Sequence, residues 1–476
     1  GLEGNAFVGN GLDEFANTTN CIIISNDDWM PYPNGYSSTS GTNSYWSGYS
    51  EKFNPYVTTN TVPTSGTIKM YQQHRYIYEI QWANKFLPID SNRVNLIGVS
   101  AGGFGAFLTA IMLPNKIAAV YSVCAPIVIK SFNNDGYELD NQMWGDPGSH
   151  LLSDVIDPTT GLGYEVFDLM NIKTMMNKLK NTGLPVIYTI HGKNDNTVFW
   201  SDKPTYLTQN ENYWQGGVHF WDQREHDGKN SNFFDNETMP KFDRFAVNSS
   251  FPAFSHCDSN EDPGDGDPLT GDAYGSFSGS VAWDSLKEDD CNWKVNTSVI
   301  DFIVGGAVIN SDVTSCYAKV TIRKAQKFAP KDGETIKWYN YNNTNTQIQS
   351  GSFVYHLGDA ISIDSVKIKR AGTRLEIQRK NCTLKEEPEA NSNPDVSPLN
   401  QMAINNSSYG WVVVINSSMN QMAQLNVFDM MGRSLVSKTI SLNEGANYIE
   451  LNAPAHGTFL IGLVSENGHQ AVKATY

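Results

Sequence analysis

Arg93 to Phe107, with the sequence R-V-N-L-I-G-V-S-A-G-G-F-G-A-F, decides how the first half of this chain is expected to fold. Val94 to Val99 is short and mostly apolar, as is typical of a buried strand, and a helix-like run continues from Gly103 to Leu113. Between them stands G-V-S-A-G, in which side chains two residues before and after Ser100 would clash at a sharp turn, so both positions are glycine. The G-x-S-x-G pattern between a strand and a helix predicts that Ser100 is a nucleophile at a helix N-terminus. A glycine-rich turn with an incidental serine is the simpler alternative.

Length and charge narrow the class of protein. A chain of 476 residues is too long for one ordinary core, and its net charge of -16 argues against nucleic acid or an anionic membrane surface as a partner. No apolar run reaches the roughly 18 residues that a transmembrane helix needs. The six cysteines show no C-x-x-C spacing, so a zinc site is not expected. Four of them lie from Cys257 onward, where disulfides would suit an exported protein.

Strands and helices alternate along the first 255 residues. The apolar runs that predict strands are Cys21–Ser25, Val94–Val99, Ile117–Val123, Leu184–Ile190 and Val218–Glu225, and the helical patterns are Ile68–Leu87, Gly103–Leu113 and Asn171–Leu179. This order predicts an α/β fold with a mostly parallel sheet and helices on both faces. The mixed segment from Ala125 to Gly183 interrupts the alternation, where a lid would be inserted.

Two further polar residues follow predicted strands. Asp195 ends the run H-G-K-N-D, and His226 begins the run H-D-G. Because the carboxyl ends of parallel strands meet at one edge, Ser100, Asp195 and His226 are expected to converge there, in the chain order of the α/β-hydrolase triad. His226 would take the proton from Ser100, and Asp195 would orient the imidazole.

Other residues could take two of these roles. The alternative bases are His191, His219 and His256, and the alternative acids are Asp202, Asp222 and Asp227. Asp195 is preferred because it alone follows its strand at the expected turn.

The oxyanion formed during acyl transfer needs backbone N–H donors. The N–H of Ala101 is one candidate, and a second would come from Leu2 or Glu3 in the glycine-rich run Gly1–Gly4. Such a loop normally follows an early strand, so the first strands of the domain are expected to be missing before Gly1. A disordered N-terminus is the alternative.

Aromatic residues are concentrated in the long segment from Asn26 to Gly66, which has little periodicity. A long connection of this kind is usually functional, and aromatic faces suit sugar rings or aromatic acyl groups. Tyr45 and Trp46 in this segment are therefore predicted to contact substrate, and Trp200, which flanks the Asp195 loop, is predicted to line the pocket. Packing within the domain is the other explanation for these rings.

Residues 1–255 resemble the secreted α/β-hydrolase esterases, a group that includes polyhydroxybutyrate depolymerases and feruloyl or acetylxylan esterases. The motifs in question are G-V-S-A-G around Ser100, H-G-K-N-D around Asp195 and E-H-D-G around His226. The resemblance implies hydrolysis of carboxylic esters on polysaccharide or polyester through an acyl-enzyme, with no cofactor. Prolyl-oligopeptidase-like peptidases have similar turns, so a serine peptidase remains open. A non-catalytic surface glycan-binding protein is the third possibility.

Composition changes after residue 255. Residues 256–275 form an Asp- and Gly-rich linker, and its acidic residues Asp262, Asp265, Asp267 and Asp272 are candidate ligands for a structural calcium ion. A solvated hinge would explain the same residues. Residues 276–384 contain short alternating runs that predict a β-sandwich, whose role as a carbohydrate binder or a spacer stays open.

The C-terminal end forms a separate predicted region. Residues 385–398 are a charged, proline-punctuated linker. Residues 399–476 resemble the sorting domain of the type IX secretion system of Bacteroidetes in M-G-R at 431–433, N-E-G at 443–445, G-T-F-L at 457–460 and the basic finish at Lys473. This resemblance implies the type IX machinery as a partner. It also implies export across the outer membrane, either into the medium or to the cell surface.

Overall fold

A computed structural model describes residues 21–30, 42–87, 89–129, 137–157, 159–229, 242–304, 306–382, 399–407, 410–417, 419–429, 434–452, 458–465 and 468–475. The chain divides into two compact units, Gly1–Leu384 and Lys385–Tyr476. The division falls at the start of the linker predicted from composition, whose residues lie outside the described ranges.

Twelve strands and six helices are described in the first part of unit one. The strands are β1 Trp29–Met30, β2 Thr42–Asn43, β3 Tyr49–Ser50, β4 Thr67–Lys69, β5 Asn95–Val99, β6 Ala119–Val123, β7 Leu152–Ile156, β8 Gly163–Glu165, β9 Val186–Gly192, β10 Val218–Asp222, β11 Phe251–Ser255 and β12 Gly275–Phe277. The helices are α1 Tyr71–Phe86, α2 Ala101–Met112, α3 Tyr137–Trp144, α4 Val166–Leu169, α5 Ile172–Lys178 and α6 Lys203–Tyr213.

The central sheet has the strand order β12-β10-β9-β6-β5. Strands β5, β6, β9 and β10 are parallel to one another, and β12 is antiparallel to β10 at the edge. The prediction of a mostly parallel sheet is therefore confirmed. Its parallel strands end on one side, and the turns after β5, β9 and β10 contain the three predicted catalytic residues.

The two faces of this sheet are covered differently. Phe107 of α2 and Tyr206 of α6 belong to one core with Trp221 of β10. On the opposite face, Phe242, Phe245 and other aromatic residues cover the sheet, and no α-helix from the described ranges contributes to that core. The prediction of helices on both faces thus holds for one face only, because aromatic residues that follow His226 along the chain fill the other.

The predicted strand Cys21–Ser25 is wrong. These residues are not in a strand, and Ile22, Ile23 and Ile24 are 40–50 % exposed. An apolar run forms a strand only where a neighbouring strand accepts its hydrogen bonds, and the described part of the chain provides none here. The first predicted helix begins later than expected, since Ile68 lies in β4.

The remainder of unit one is rich in strands. They are β13 Val281–Glu288, β14 Asn292–Val299, β15 Ile303–Val304, β16 Ala307–Val308, β17 Ser315–Arg323, β18 Thr335–Asn342, β19 Gln347–Val354, β20 Ser362–Lys369 and β21 Thr373–Arg379. Sheets of order β11-β17-β20 and β13-β14-β21-β18-β19 share one apolar core. A disulfide joins Cys291 to Cys382.

Strands on one side of the predicted domain boundaries at residues 255 and 276 pair with strands on the other side. β11 pairs with β17 in the β-rich region, although it precedes residue 256. β12 pairs instead with β10 of the central sheet. The Asp-rich segment between them therefore connects two sheets that are both part of one compact unit.

In the described part of unit two, seven antiparallel strands are present. They are β22 Leu399–Ser407, β23 Gly410–Ser417, β24 Gln421–Asp429, β25 Ser434–Leu442, β26 Gly445–Asn452, β27 Thr458–Ser465 and β28 Gly468–Thr475. They form sheets of order β22-β23-β26 and β25-β24-β27-β28, with a shared core that includes Trp411 and Leu463. Of the motifs used for the sorting-domain resemblance, 431–433 and Gly457 lie outside the described residues.

Within the described ranges, none of the helices combines the length and apolar character needed to span a bilayer.

Candidate active site

Ser100 stands at a strained turn between β5 and α2. Its φ of 55° and ψ of -123° are unusual for a residue with a side chain. A Cβ on Gly98 would lie 2.1 Å from the carbonyl oxygen of Gly102, so Gly98 must be glycine. A Cβ on Gly102 would meet only the indole nitrogen of Trp46, at 3.9 Å. The expected clash therefore occurs at one flanking position and not at both.

The turns after β5, β9 and β10 bring three side chains into one hydrogen-bonded series. The hydroxyl oxygen of Ser100 lies 2.9 Å from Nε2 of His226, and Nδ1 of His226 lies 2.7 Å from a carboxylate oxygen of Asp195. Asp195 is 1 % exposed and His226 12 % exposed. In this geometry, Nδ1–H donates to the carboxylate and the serine hydroxyl donates to Nε2.

The carboxylate of Asp195 is held by its own loop. Its second oxygen accepts hydrogen bonds from the backbone N–H of Thr197, at 2.9 Å, and of Val198, at 2.7 Å. These bonds fix the carboxylate plane and leave the other oxygen directed at His226. A fixed acceptor on Nδ1 sets the imidazole tautomer, so that Nε2 can take a proton from Ser100.

The backbone after Ser100 provides one donor for an oxyanion. Ala101 is the first residue of α2, and the N–H groups of a first helical turn have no acceptor inside the helix. The partial positive charge of a helix N-terminus favours negative charge developing beside it. Leu2 and Glu3, the other predicted donors, lie outside the described residues.

The alternative histidines are placed away from this series. His219 is buried within β10, with Nδ1 2.9 Å from the Thr189 hydroxyl and Nε2 2.8 Å from the Asn210 amide, and burial lowers its pKa to about 3. His191 is also buried, and desolvation holds its pKa well below the usual value. The backbone N–H of His256 donates to the carboxylate of Glu211.

The alternative acids have other partners. Asp202 pairs with Lys203 and accepts the N–H of Ile127 at 3.2 Å. Asp222 forms a buried ion pair with Arg224, at 2.6 Å. Asp227 pairs with Lys229 at the surface. Of these four aspartates, Asp195 is the one whose carboxylate accepts a hydrogen bond from His226.

The three aromatic residues predicted to bind substrate are mainly packed inside the domain. Trp200 is 2 % exposed, and its indole N–H donates to the carbonyl oxygen of Pro263 at 3.2 Å. Tyr45 packs against Trp144, with ring centroids 6.4 Å apart. Trp46 is 7 % exposed but lies beside the first turn of α2. Substrate contact by these rings stays a prediction.

A buried aspartate that sequence reasoning missed holds the Trp46 loop. Asp28 is 1 % exposed and accepts hydrogen bonds from the N–H groups of Ser44 and Trp46, both at 2.8 Å. The Ser44 hydroxyl donates to the same carboxylate at 2.8 Å, and burial raises the pKa of Asp28. No local pattern marks this residue, because its partners lie sixteen and eighteen positions away.

A cleft opens beside the loop that holds Asp195. Pro126, Val128, Val198 and Phe199 give it apolar walls, and Lys203 lines its polar side. The cleft lies at the carboxyl ends of β6 and β9, on the side of the sheet where the Ser100 turn and the Asp195 loop are placed.

The Asp-rich segment folds into turns around a lysine. The carboxylates of Asp262, Asp265 and Asp267 accept backbone N–H groups within the segment, and Nζ of Lys193 donates to the carbonyl oxygens of Thr270 and, at 2.8 Å, Asp272. In the described part of the chain, no group of three or more His, Cys, Asp or Glu is placed to hold a metal ion. The carboxylate of Asp272 likewise accepts the N–H of Asp262 at 2.8 Å, and calcium binding by these residues stays a prediction.

Comparisons with known proteins give structural likenesses only. No protein-family model matches the chain, and no curated protein sequence matches it. The solved structures that it is similar to include an S-formylglutathione hydrolase from Agrobacterium tumefaciens, at 14 % identity over 42 % of this chain and 62 % of that one, with a TM-score of 0.27. Fluorophosphonate-binding serine hydrolase F from Staphylococcus aureus is 16 % identical over 32 % of this chain and 56 % of that one, with a TM-score of 0.25.

A third structure is the dipeptidyl peptidase 4 of Porphyromonas gingivalis, at 10 % identity over 34 % of this chain and 20 % of that one, with a TM-score of 0.26. The chain thus spans less than two thirds of each of these structures. Identities and TM-scores this low establish neither an activity nor a substrate for the chain. The evidence for function therefore comes from the geometry around Ser100.

Proposed function

We propose that this chain is a serine hydrolase that cleaves carboxylic esters through an acyl-enzyme. The observation that supports the proposal is the hydrogen-bonded series from Ser100 through His226 to Asp195. A serine hydroxyl is a weak nucleophile until a neighbouring base removes its proton. Nε2 of His226 lies 2.9 Å from that hydroxyl, within the reach that proton transfer requires.

The first half of the reaction forms the acyl-enzyme. As the Ser100 oxygen attacks the ester carbonyl, its proton moves to Nε2 of His226, and the carboxylate of Asp195 stabilises the resulting imidazolium. The N–H of Ala101 donates to the carbonyl oxygen as it becomes negative. His226 then returns the proton to the departing alcohol oxygen.

The second half releases the acid. A water molecule takes the place of the alcohol, and His226 removes its proton as it attacks the acyl carbon. Collapse of the second tetrahedral intermediate breaks the bond to Ser100, which recovers its proton from His226.

The test is hydrolysis of a chromogenic short-chain ester by the whole chain and by Ser100→Ala. We expect turnover by the unaltered protein and none above background by the variant. Matched p-nitroanilide peptides are measured in parallel, and cleavage of peptides without esters would replace the esterase by a serine peptidase. A folded protein that cleaves neither class would instead favour a surface glycan-binding protein.

We extend the proposal to polymer substrates, namely acyl groups on polysaccharide or a polyester. The motif resemblance to secreted polymer esterases supports this extension, which no contact in the molecule specifies. Release of free acid from acetylated or feruloylated polysaccharide and from polyhydroxybutyrate particles would distinguish the candidates. Activity confined to soluble small esters would contradict a polymer substrate.

We also propose that the chain is exported by a type IX secretion system and then released or held at the cell surface. The disulfide between Cys291 and Cys382 suits an oxidising compartment, and residues 399–476 resemble a sorting domain. Fusing residues 385–476 to a periplasmic reporter in a bacterium with this system is expected to move the reporter outside the outer membrane. Retention of the fusion in the periplasm would contradict the proposal.

A further inference from the structure

The turn that presents His226 begins with a buried ion pair. Asp222 is the last residue of β10, and Arg224 follows two positions later. Their side chains are 0 % and 2 % exposed. One carboxylate oxygen accepts the Nε–H of Arg224 at 2.7 Å, and the other accepts an Nη2–H at 2.6 Å. The backbone N–H of Arg224 donates to the same carboxylate at 2.9 Å.

These three bonds fix the direction in which the chain leaves the sheet. A guanidinium and a carboxylate that meet in a two-bond fork allow little rotation about either side chain. Because the partners are two residues apart, the fork also restricts the backbone between them. His226 follows two residues after Arg224, so its backbone position depends on where this fork holds the chain.

The same pair also contacts the strand that leads to Asp195. The carbonyl oxygen of Asp222 accepts the N–H of Lys193 at 2.8 Å. A Cβ on Gly192 would lie 2.1 Å from the carbonyl oxygen of Arg224, so glycine is needed for this close approach. The backbone that leads to Asp195 and the backbone that leads to His226 are therefore in contact.

The far side of the His226 turn is closed by backbone bonds. The N–H of Glu225 donates to the carbonyl oxygen of Lys229 at 2.9 Å, and the N–H of Gly228 donates to that of Glu225 at 3.0 Å. His226 thus lies in a tight turn whose entrance is set by the ion pair. Shifting a catalytic group by about 1 Å can cost on the order of 100-fold in rate, so the entrance matters for catalysis.

We infer that Asp222 and Arg224 are positioning residues that hold His226 at hydrogen-bonding distance from both Asp195 and Ser100. The hydrogen bonds described for the two side chains join them to each other and not to Ser100, Asp195 or His226. They act on catalysis through the backbone of residues 222–226 and through its contact with Gly192. The kinetic part of this inference rests on the proposed esterase function, and the structural part does not.

The variants are Arg224→Lys, which keeps the charge but loses the fork, and Arg224→Met, which loses both. The matched controls are Arg379→Lys and Arg379→Met in the β-rich region, where Nε of Arg379 lies 2.9 Å and 3.0 Å from the two carboxylate oxygens of Glu334. Arg379 is 13 % exposed and lies in β21, away from the triad. Melting temperature, kcat and KM on a chromogenic acetate ester are measured for all four.

We expect kcat to fall about 10-fold in Arg224→Lys and about 100-fold in Arg224→Met, with KM changed less than threefold. The Arg379 variants are expected to lower the melting temperature while leaving kcat unchanged. If the Arg224 variants lose melting temperature but keep full kcat, the ion pair is merely structural and the inference is overturned. Arg224→Lys keeps the test possible if Arg224→Met does not fold.

A second readout does not depend on turnover. The Nδ1 proton of a histidine bound to a carboxylate gives a far-downfield proton NMR signal, which His226→Ala would assign by its disappearance. We expect this signal in the unaltered protein and in both Arg379 variants, and its loss or displacement in the Arg224 variants. An unaffected signal would overturn the inference. An affected signal in a protein without ester activity would keep the inference and reject the proposed function.

Discussion

The body of β10 and the turn that follows it each contain a histidine, seven residues apart, and the two have opposite surroundings. His219 in the strand is 1 % exposed, with both ring nitrogens within 2.9 Å of a hydroxyl or an amide. His226 in the turn is 12 % exposed and lies between a carboxylate and the Ser100 hydroxyl. Position along the strand, and not residue type, therefore determines which imidazole can exchange protons with a substrate.

Burial has different consequences at His219 and at Asp195. Around His219, burial lowers the pKa to about 3 and keeps the ring neutral, so the residue serves as a packed hydrogen-bonding group. After β9, Asp195 is also buried, but backbone N–H groups of its loop direct one carboxylate oxygen at the partly exposed imidazole of His226. Five substitutions test how far the strand body and the strand ends differ, and they follow in order of decreasing expected effect.

The largest effect is expected from the histidine in the turn. His226→Ala removes the base, and kcat should fall by about 10⁶-fold, as is found when a triad base is removed. The free energy of unfolding should fall less than in His219→Ala, because the His226 ring is 12 % exposed whereas His219 is 1 % exposed. Ester kinetics and chemical denaturation measure the two quantities. If activity survives, the base must be sought among the other histidines.

Asp195→Asn should lower kcat by about 10⁴-fold. The amide can occupy the same site, but it no longer fixes the tautomer in which Nε2 accepts the serine proton. Asn194→Ala is the neighbouring control, since that side chain contacts Gln223 and not the triad. Comparable losses in both variants would mean that the loop, and not the carboxylate, is what matters.

The histidine in the strand should affect stability and leave the chemistry almost unchanged. His219→Ala removes a buried ring and leaves Thr189 and Asn210 without their partner, which should cost about 4 kcal/mol of unfolding free energy. The folded fraction should keep its kcat within threefold. A selective loss of kcat with unchanged stability would reverse the roles assigned to the two histidines.

The free energy of unfolding should also depend on pH, because helix α6 contains a buried glutamate. Burial raises the pKa of Glu211, on helix α6, to about 7 from an ordinary value of 4.5. A raised carboxyl pKa stabilises the folded state fully below pH 4.5, and that contribution is lost as the pH rises through about 7. The loss should be on the order of 3 kcal/mol. Denaturation of Glu211→Gln across this range should show a flatter profile, and an equally steep one would exclude Glu211 as the cause.

The smallest effect concerns the strand end that precedes Ser100. Gly98→Ala forces a Cβ against the Gly102 carbonyl and should cost about 2 kcal/mol, with reduced kcat from a displaced turn. Gly102→Ala is the matched control, because its Cβ would have room, and it should be tolerated. Equal behaviour of the two variants would show that the tight approach at Gly98 is not needed.

Sequence reasoning predicted the three residues of the hydrogen-bonded series because the signals that mark them are local. Ser100 stands in a pattern that the sharp turn requires, and Asp195 and His226 each follow a strand whose partners are parallel. The same reasoning could not find Asp28 or the function of the Asp222 and Arg224 pair. The contacts of Asp28 depend on how its loop returns to the domain. Asp222 and Arg224 are only two residues apart, but no sequence pattern reports that their pair is buried.

The errors have a related physical origin. Cys21–Ser25 has the composition of a strand, but a strand also requires a neighbour to hydrogen-bond with, which composition does not report. Phe242 and Phe245 cover a face of the sheet where helices were expected, because apolar area can be buried by any segment that reaches it.

The proposed function depends above all on nucleophilic attack by Ser100. Intact mass spectrometry after reaction with a fluorophosphonate, followed by peptide mapping, tests it directly. We expect one adduct per chain, located on Ser100. The adduct should be absent from Ser100→Ala, and it should form much more slowly in His226→Ala. An adduct on another residue, or no adduct on a folded chain, would contradict it.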